Sequence, residues 1–198
     1  MTEIVGGVLG AFGLSASAGL NAYIPLLVVS LLARFTNLIE LAEPWSALEN
    51  WWVIGLLAVL GVVEFVADKV PAVDQVNDVI QSLIRPVAGA ILFATSARTI
   101  TEIHPVLSMI CGLLVAGSVN AVKSFVARPV VEATTAGAGV PVVSTLEDVV
   151  VTIVSVLSVA LPILMVILVF LLIWGVSWFI KQRRDARRQA VTNDIYGG

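Results

Sequence analysis

The stretch VVVTIVSVLSVALPILMVILVFLLIWGVSWFI, residues 149–180, contains no charged side chain. As a single α-helix it would be about 48 Å long, whereas the hydrocarbon core of a bilayer is roughly 30 Å thick. Pro162 stands near its middle and removes a helical hydrogen bond. We therefore predict two membrane spans here, at about 145–160 and 163–180, with one kinked and protruding helix as the alternative.

The rest of the chain shares this apolar character. Of its 198 residues, 59% are hydrophobic and 13% are charged, whereas a soluble domain has about 25% charged residues. This composition excludes a cytosolic enzyme, a nucleic-acid binder and a disordered protein, and it indicates an integral protein of the lipid bilayer. A single Cys, Cys111, and a single His, His104, exclude a disulfide framework and a Cys/His metal site within one chain. We expect no cofactor and no metal.

Charge asymmetry suggests the arrangement of the spans. The other apolar segments are 4–33, 51–67, 74–97 and 105–126. Lys and Arg near span ends favour the cytoplasm, and five of them follow the last apolar run: Lys181, Arg183, Arg184, Arg187 and Arg188. We predict an all-α, polytopic transmembrane helical bundle of about six spans in the cell membrane, with both termini cytoplasmic and loop 34–50 outside. Residues 1–180 would form a single transmembrane domain, and residues 181–198 a basic cytoplasmic tail.

The chain contains an internal similarity. Val70–Val73 aligns with Val140–Val143 without a gap through Asp78–Ile80 and Asp148–Val150, and each match includes a Val-Pro pair. We interpret this as a two-helix duplication with repeat units at about 51–97 and 105–160, although chance similarity between Val-rich segments remains the alternative. Two spans separate the copies, so they should run parallel. Some transporters are built on such repeats and bind their substrate at the repeat interface, but repeats also build inert scaffolds.

Ionisable residues inside apolar segments are costly and need an explanation. Asp74, Asp78, Gln81 and Arg85 follow one another at steps of four, three and four, which places them on one helical face. We predict a polar cavity open to the cytoplasm that binds an ion or a small charged solute. Its candidate residues are Glu64, Asp68, Asp74, Asp78, Arg85, Lys123, Arg128, Glu147 and Asp148.

Within this set we predict that Asp68 and Arg128 pair across the repeat axis. The alternative for the whole set is structural: the groups lie at the cytoplasmic interface, pair with one another or with water, and cap short helices.

Small residues dominate one face of the first span. Gly6, Gly10, Ala11, Ser15 and Gly19 recur at roughly helical steps, a spacing that lets helices approach closely in lipid. Asn21 and Tyr23 follow them, and Asn120 lies in the fourth span. We predict helix-packing or polar roles for these three residues and a kink at Pro25.

Several of these motifs resemble those of the bacterial and plant membrane proteins called domain-of-unknown-function family 4126. The similar stretches are Ser17–Pro25, Glu64–Pro71, Ile84–Pro86 with Ala88–Ala90, and Pro141–Asp148, together with Asp74 and Asp78. The resemblance covers roughly residues 10–162. It implies a fold but no substrate, because the activity of that family is unassigned.

Two functions remain open. The first is a small transporter or channel-like protein with an acidic site at the repeat interface, working as a homodimer or a higher oligomer. The second is a non-catalytic accessory or scaffold subunit, whose small-residue faces on the first and fourth spans dock a larger membrane complex. A transporter should turn its acids toward an internal cavity or a dimer axis, whereas a scaffold should bury them in ion pairs. We expect neither catalysis nor nucleic-acid binding.

Overall fold

The computed structural model describes residues 2–98, 104–135 and 138–161, and five single positions beyond them: Leu164, Ile167, Phe170, Leu171 and Trp174. The helices are α1 (Thr2–Leu20), α2 (Tyr23–Phe35), a 3-10 helix (Trp45–Glu49), α3 (Trp51–Ala67), α4 (Pro71–Arg98), α5 (Pro105–Val122), a π-helical turn (Lys123–Ala127), α6 (Arg128–Thr135) and α7 (Val140–Ala160). The predicted all-α bundle is confirmed. Pro162, the basic tail and the predicted span 163–180, apart from those five positions, lie outside the described residues.

The first apolar segment forms two helices. α1 ends at Leu20 and α2 begins at Tyr23. Between them, Asn21 Oδ1 accepts hydrogen bonds from the backbone N–H groups of Tyr23 (3.1 Å) and Ile24 (3.0 Å). Such an acceptor satisfies N–H groups that have no partner at a helix start. Pro25 lies in the first turn of α2, where its missing N–H interrupts no helical bond, so the chain breaks before the predicted kink.

α1 runs antiparallel to α4. The rings of Phe12 and Phe93 lie 5.0 Å apart between centroids, and one turn further along α1 the Ser15 hydroxyl donates to Gly89 O at 2.6 Å. Residues later in α1 therefore contact residues earlier in α4. α3 is also antiparallel to α4, since only the turn 68–70 joins them, so α1 and α3 run in the same direction.

α2 runs back along α3. Tyr23, at its start, faces Gly61 late in α3. At its other end, the Arg34 guanidinium lies 4.3 Å from the ring centroid of Trp51, the first residue of α3. Because α2 opposes α3, it also opposes α1, and the two form a helical hairpin with Asn21 and Ala22 at its tip.

This hairpin corrects the sequence-based topology. The single span predicted for residues 4–33 is wrong, because an apolar run carries no signal for a reversal made by one capping side chain. The start of α1 and the loop after α2 lie at the same end of the bundle. The six-span arrangement placed the N-terminus and loop 34–50 on opposite sides.

Small residues bring α1, α4 and α5 into close contact. A β-carbon on Gly89 would overlap Ala116 and the carbonyl of Gly112, and one on Gly19 would overlap Ala116 O and the Val119 side chain. The close packing predicted for α1 is confirmed at Gly19. Because these residues are buried within the chain, they are not available for docking another protein.

The two Val-Pro pairs lie at the same end of the bundle. Ser144, one turn into α7, contacts Asp68 (3.2 Å) and Lys69 (3.3 Å) in the turn that precedes α4. We call this the network end and the opposite one the Trp51 end. α4 and α7 both run from the network end toward the Trp51 end, as a parallel repeat requires. The duplication itself stays a prediction, and the second unit contains a π-helical turn and α6 that the first lacks.

Several helices have the length and composition of membrane spans. The long apolar ones are Val76–Ser96, Pro105–Thr135 and Val140–Ala160, and shorter apolar helices cover Gly6–Leu20, Tyr23–Phe35 and Trp51–Ala67. Large apolar side chains also cover the outside: Trp52 is 87% exposed, Phe125 80% and Leu83 75%. A soluble monomer rarely shows such a surface, so these features fit an integral membrane protein.

Candidate functional site: a buried charge network

Nine ionisable side chains meet inside the network end. They come from α3 and the turn after it, from α4, from the π-helical turn and α6, and from α7. We call them the charge network: Glu64, Asp68, Lys69, Asp78, Arg85, Lys123, Arg128, Glu147 and Asp148. Eight of them belong to the predicted site. The ninth predicted residue, Asp74, lies in the first turn of α4, and its side chain lies outside the described part of the structure.

Arg85 is the centre of the network. Its Nη2 lies 3.1 Å from Glu64 Oε1, and both side chains are 0% exposed. Its Nη1 donates to Asn120 Oδ1 at 3.0 Å and lies 3.5 Å from Asp78 Oδ1. The predicted polar face of α4 is therefore real at Asp78 and Arg85, and the polar role predicted for Asn120 is to bind this guanidinium.

Arg128 extends the network toward α3. Its Nη1 lies 2.9 Å from Asp78 Oδ2, and its Nη2 lies 3.7 Å from Asp68 Oδ2. The predicted contact between Asp68 and Arg128 is thus present, but the pair with Asp78 is shorter. Asp68 also accepts hydrogen bonds from Asn77 Nδ2 at 2.8 Å and from Ser144 Oγ at 3.2 Å. A continuous chain of alternating acids and bases results, from Glu64 to Asp68.

Lys123 joins the network to the hairpin. Its side chain is 2% exposed, and its Nζ donates to Leu20 O at 2.8 Å and pairs with Glu147 Oε2 at 2.8 Å. The carbonyls of the last helical turn lack helical partners and carry the negative end of the helix dipole. Lys123 is the first residue of the π-helical turn, a type of helix distortion frequent at functional sites.

Asn21 connects the hairpin tip to α7. Its Nδ2 donates to Asp148 Oδ1 at 3.1 Å, while Asp148 Oδ2 lies 3.7 Å from Lys69 Nζ. The amide of Asn21 therefore caps α2 with its oxygen and binds an acid with its nitrogen. Tyr23 packs in the hydrophobic core with residues such as Leu26, in agreement with its predicted packing role.

Sequence reasoning left three side chains out of the site. Lys69, Asn77 and Ser144 all bind network carboxylates. A signal existed for Ser144, because it stands four residues before Asp148 and thus on the same face of α7. Nothing comparable distinguishes Lys69 or Asn77, since a lysine in a turn and an amide in the second turn of a helix ordinarily face water.

Some buried polar atoms of the site have no hydrogen-bond partner among the described residues. They include Glu64 Oε2, Gln81 Oε1, Arg85 Nε and Asp148 Oδ2. Gln81 is 2% exposed and Arg85 0%, and they stand one turn apart on the same face of α4. Buried polar groups are nearly always hydrogen-bonded to protein or to ordered water, so these atoms need partners beyond the described side chains.

A small cavity of about 10 Å³ adjoins the network between α6 and α7, roughly the space of one water molecule. Arg128, Ser144 and Glu147 contribute to its lining. In the part of the chain that the structure describes, no three His, Cys, Asp or Glu side chains are grouped as a metal ion requires. Among the described residues, the site is thus a set of paired charges rather than a cluster of acids alone.

These features define an all-helical protein with membrane-span-like helices, whose ionisable groups gather around the tip of a broken helix. Residues 8–182 match the domain of unknown function DUF4126. The chain belongs to this family, and the resemblance seen in its motifs is confirmed. No curated protein and no solved structure matches it.

Proposed function

We propose that this integral membrane protein moves an ion or a small charged solute across the membrane, using the charge network as its site. The observation that carries this proposal is the position of the hairpin tip. Discontinuous helices that present their ends to a site at mid-membrane are a recurring feature of transporters. Here the carbonyl end of α1 meets Lys123, and the Asn21 amide beside the start of α2 meets Asp148.

The energetics support the same proposal. Taking paired charges out of water costs about as much as their attraction returns, and apolar side chains of similar volume often stabilise as well or better. A bundle that needed only rigidity would gain nothing from fully buried Arg85 and Glu64. Ionisable groups at membrane depth mark ion and proton pathways.

We further propose that the network end faces the cytoplasm. Lys69 and Arg128 belong to it, and the acidic loop with Glu40, Glu43 and Glu49 lies at the other end. Lys and Arg near span ends favour the cytoplasmic side. The hairpin then enters from outside, and α1 starts there as well. The homodimer or larger membrane complex and the absence of catalysis stay predictions.

An accessory or scaffold subunit is the second candidate. The observation in its favour is that the described network acids are ion-paired, as expected for a scaffold. Against it, Gly19 and Gly89 pack closely against other helices of the chain. The small-residue face of the first span, with which such a subunit would dock, is therefore already buried. For a transporter, a network of paired charges corresponds to an occluded state.

Reconstitution into liposomes tests the proposal. We expect the wild-type protein to carry protons or cations down an imposed gradient, and Glu64→Gln and Asp78→Asn to slow this flux at least tenfold. Glu132→Gln is the matched control, because it removes an exposed carboxylate of α6 outside the network. Equal flux in all four proteins would remove these acids from the mechanism. Flux no greater than in protein-free liposomes, for every ion offered, would favour the scaffold.

A further inference from the structure

We propose that Glu64 is the proton-accepting group of the charge network, and that its protonation transfers Arg85 from Glu64 to Asp78. This inference rests on the proposed function and deepens it, because it names the proton as the ion that the network binds. The proton comes from a hydronium ion in the water at the network end, forms an O–H bond at Glu64 Oε2 and leaves a neutral water molecule behind. No other covalent bond is formed or broken.

The bonding of Glu64 supports this choice among the acids. One carboxylate oxygen, Oε1, lies 3.1 Å from Arg85 Nη2, while Oε2 is buried and accepts no hydrogen bond from the described residues. Asp68 accepts bonds on both of its oxygens, from Asn77 and Ser144. Asp148 Oδ2 also lacks a hydrogen bond, but the Asp148 side chain is 12% exposed, whereas that of Glu64 is 0% exposed. A proton on Glu64 Oε2 would therefore break no existing hydrogen bond of that oxygen.

Gln81 provides the independent observation. Its Oε1 is a buried acceptor without a donor among the described residues, and the residue is 2% exposed. It stands one turn before Arg85, the residue that holds Glu64, on the same face of α4. Arg85 Nε also lacks a partner among the described residues, but it has a single N–H and can serve only one of the two acceptors, Glu64 Oε2 and Gln81 Oε1. A protonated carboxyl of Glu64 supplies a second donor. Leaving a buried acceptor without a donor is destabilising, so this bond favours the protonated state.

The charge balance of the network also calls for one proton. The nine side chains that define the charge network are five carboxylates and four cations. With all of them ionised, one negative charge is left over among these largely buried groups. Uptake of a single proton makes the network neutral.

The geometry allows Arg85 to exchange its partner Glu64 for Asp78. Arg85 Nη1 already lies 3.5 Å from Asp78 Oδ1, against 3.1 Å between Nη2 and Glu64 Oε1. When Glu64 becomes neutral, Asp78 is the strongest remaining attraction for the guanidinium. Asp78 also holds Arg128 at 2.9 Å, so Arg128 is released toward Asp68, 3.7 Å away.

The exchange reaches α7, because Ser144 binds Asp68 at 3.2 Å. Other charged or polar groups around Glu64 are Asp68 in the turn after α3, Lys123 on the π-helical turn and Asn120 on α5. Lys123 is held by Glu147 and Leu20 O, so it does not replace Arg85 as the partner of Glu64.

Infrared difference spectroscopy on the protein in lipid nanodiscs tests the protonation. Between neutral and acidic buffer, we expect the wild type to gain the carbonyl band of a buried protonated carboxyl. Glu64→Gln should lack this band, and Glu132→Gln, which changes an exposed carboxyl, should keep it. Glu64→Asp should retain a band at a shifted frequency, which covers the case in which Glu64→Gln does not fold. The same band in the wild type and in Glu64→Gln would overturn the proposal.

A double-mutant cycle tests the exchange. Glu64→Gln imitates the protonated state, so Arg85 should depend more on Asp78 in that background. We expect Asp78→Asn to lower the unfolding midpoint more in Glu64→Gln than in the wild type, and equal shifts would contradict the exchange. Neither test needs transport. A Glu64 band without any ion flux would support this proton site and remove the transport role, whereas proton flux without a Glu64 band would overturn the inference and leave the transport role standing.

Discussion

Arg85 and Glu64 form an ion pair of 3.1 Å in which both side chains are 0% exposed. Breaking such a pair from one side leaves an uncompensated buried charge, which costs about 3–5 kcal/mol. We expect Arg85→Met to lower the stability of the folded protein by this order, measured by unfolding in detergent micelles. The double variant Arg85→Met with Glu64→Gln should recover most of the loss. A double variant as unstable as Arg85→Met alone would contradict this account.

The contact between Asp68 and Arg128 allows a charge-reversal test. Either single reversal, Asp68→Arg or Arg128→Asp, should reduce the yield of folded protein, because it places like charges together. The double reversal should recover only part of the yield, since Arg128 also pairs with Asp78 at 2.9 Å and a new aspartate there would face that acid.

Adding Asp78→Asn to the double reversal should complete the recovery, because it removes the remaining repulsion. Size-exclusion profiles of the purified variants measure this outcome. No gain from Asp78→Asn would show that the shorter of the two Arg128 contacts does not limit folding.

The hydrogen bond from Asn21 Nδ2 to Asp148 Oδ1, at 3.1 Å, can be reversed in direction. Asn21→Asp keeps the oxygen that caps α2 but sets two carboxylates against each other, so we expect it to destabilise the hairpin tip. Asn21→Asp combined with Asp148→Asn restores one acid and one amide with donor and acceptor exchanged, and it should recover protection. Hydrogen exchange at the Tyr23 and Ile24 amides measures this, and equally fast exchange in the single and double variants would contradict the pairing.

Two glycines provide a matched test of the close helix contact. A β-carbon on Gly89 would overlap Ala116 and Gly112 O, whereas one on Gly55 would meet nothing within 4 Å. We expect Gly89→Ala to cost about 1–3 kcal/mol, as overpacking does. Gly55→Ala should be neutral or stabilising by up to about 1 kcal/mol, because alanine is the better helix former. Thermal unfolding of both variants measures the difference, and similar midpoints would argue against a tight contact at Gly89.

Part of the candidate site was predictable from spacing alone. Asp78 and Arg85 recur at helical steps, and both point into the network of the folded protein. The contact of Asp68 with Arg128 was also predicted, and the two side chains lie 3.7 Å apart. The prediction for α4 succeeded because a helix has a fixed period.

Other contacts could not be predicted. Lys123 reaches Leu20 O, and Asn21 reaches Asp148, from positions far apart in the chain. Such pairings depend on how whole helices pack, and local composition does not determine this. The reversal at Asn21 was missed for the same reason, since α1 and α2 together read as one apolar run.

The amino-acid sequence alone determined that this chain belongs with membrane proteins and that it carries a polar stripe on one helix, since hydropathy and helical period are local properties. Only the tertiary structure decided that the first segment turns back on itself, and that its tip meets Lys123 and Asp148 among paired charges. The physical reason is that a buried charge is tolerated only beside a partner, and the partners here come from helices that are distant in sequence.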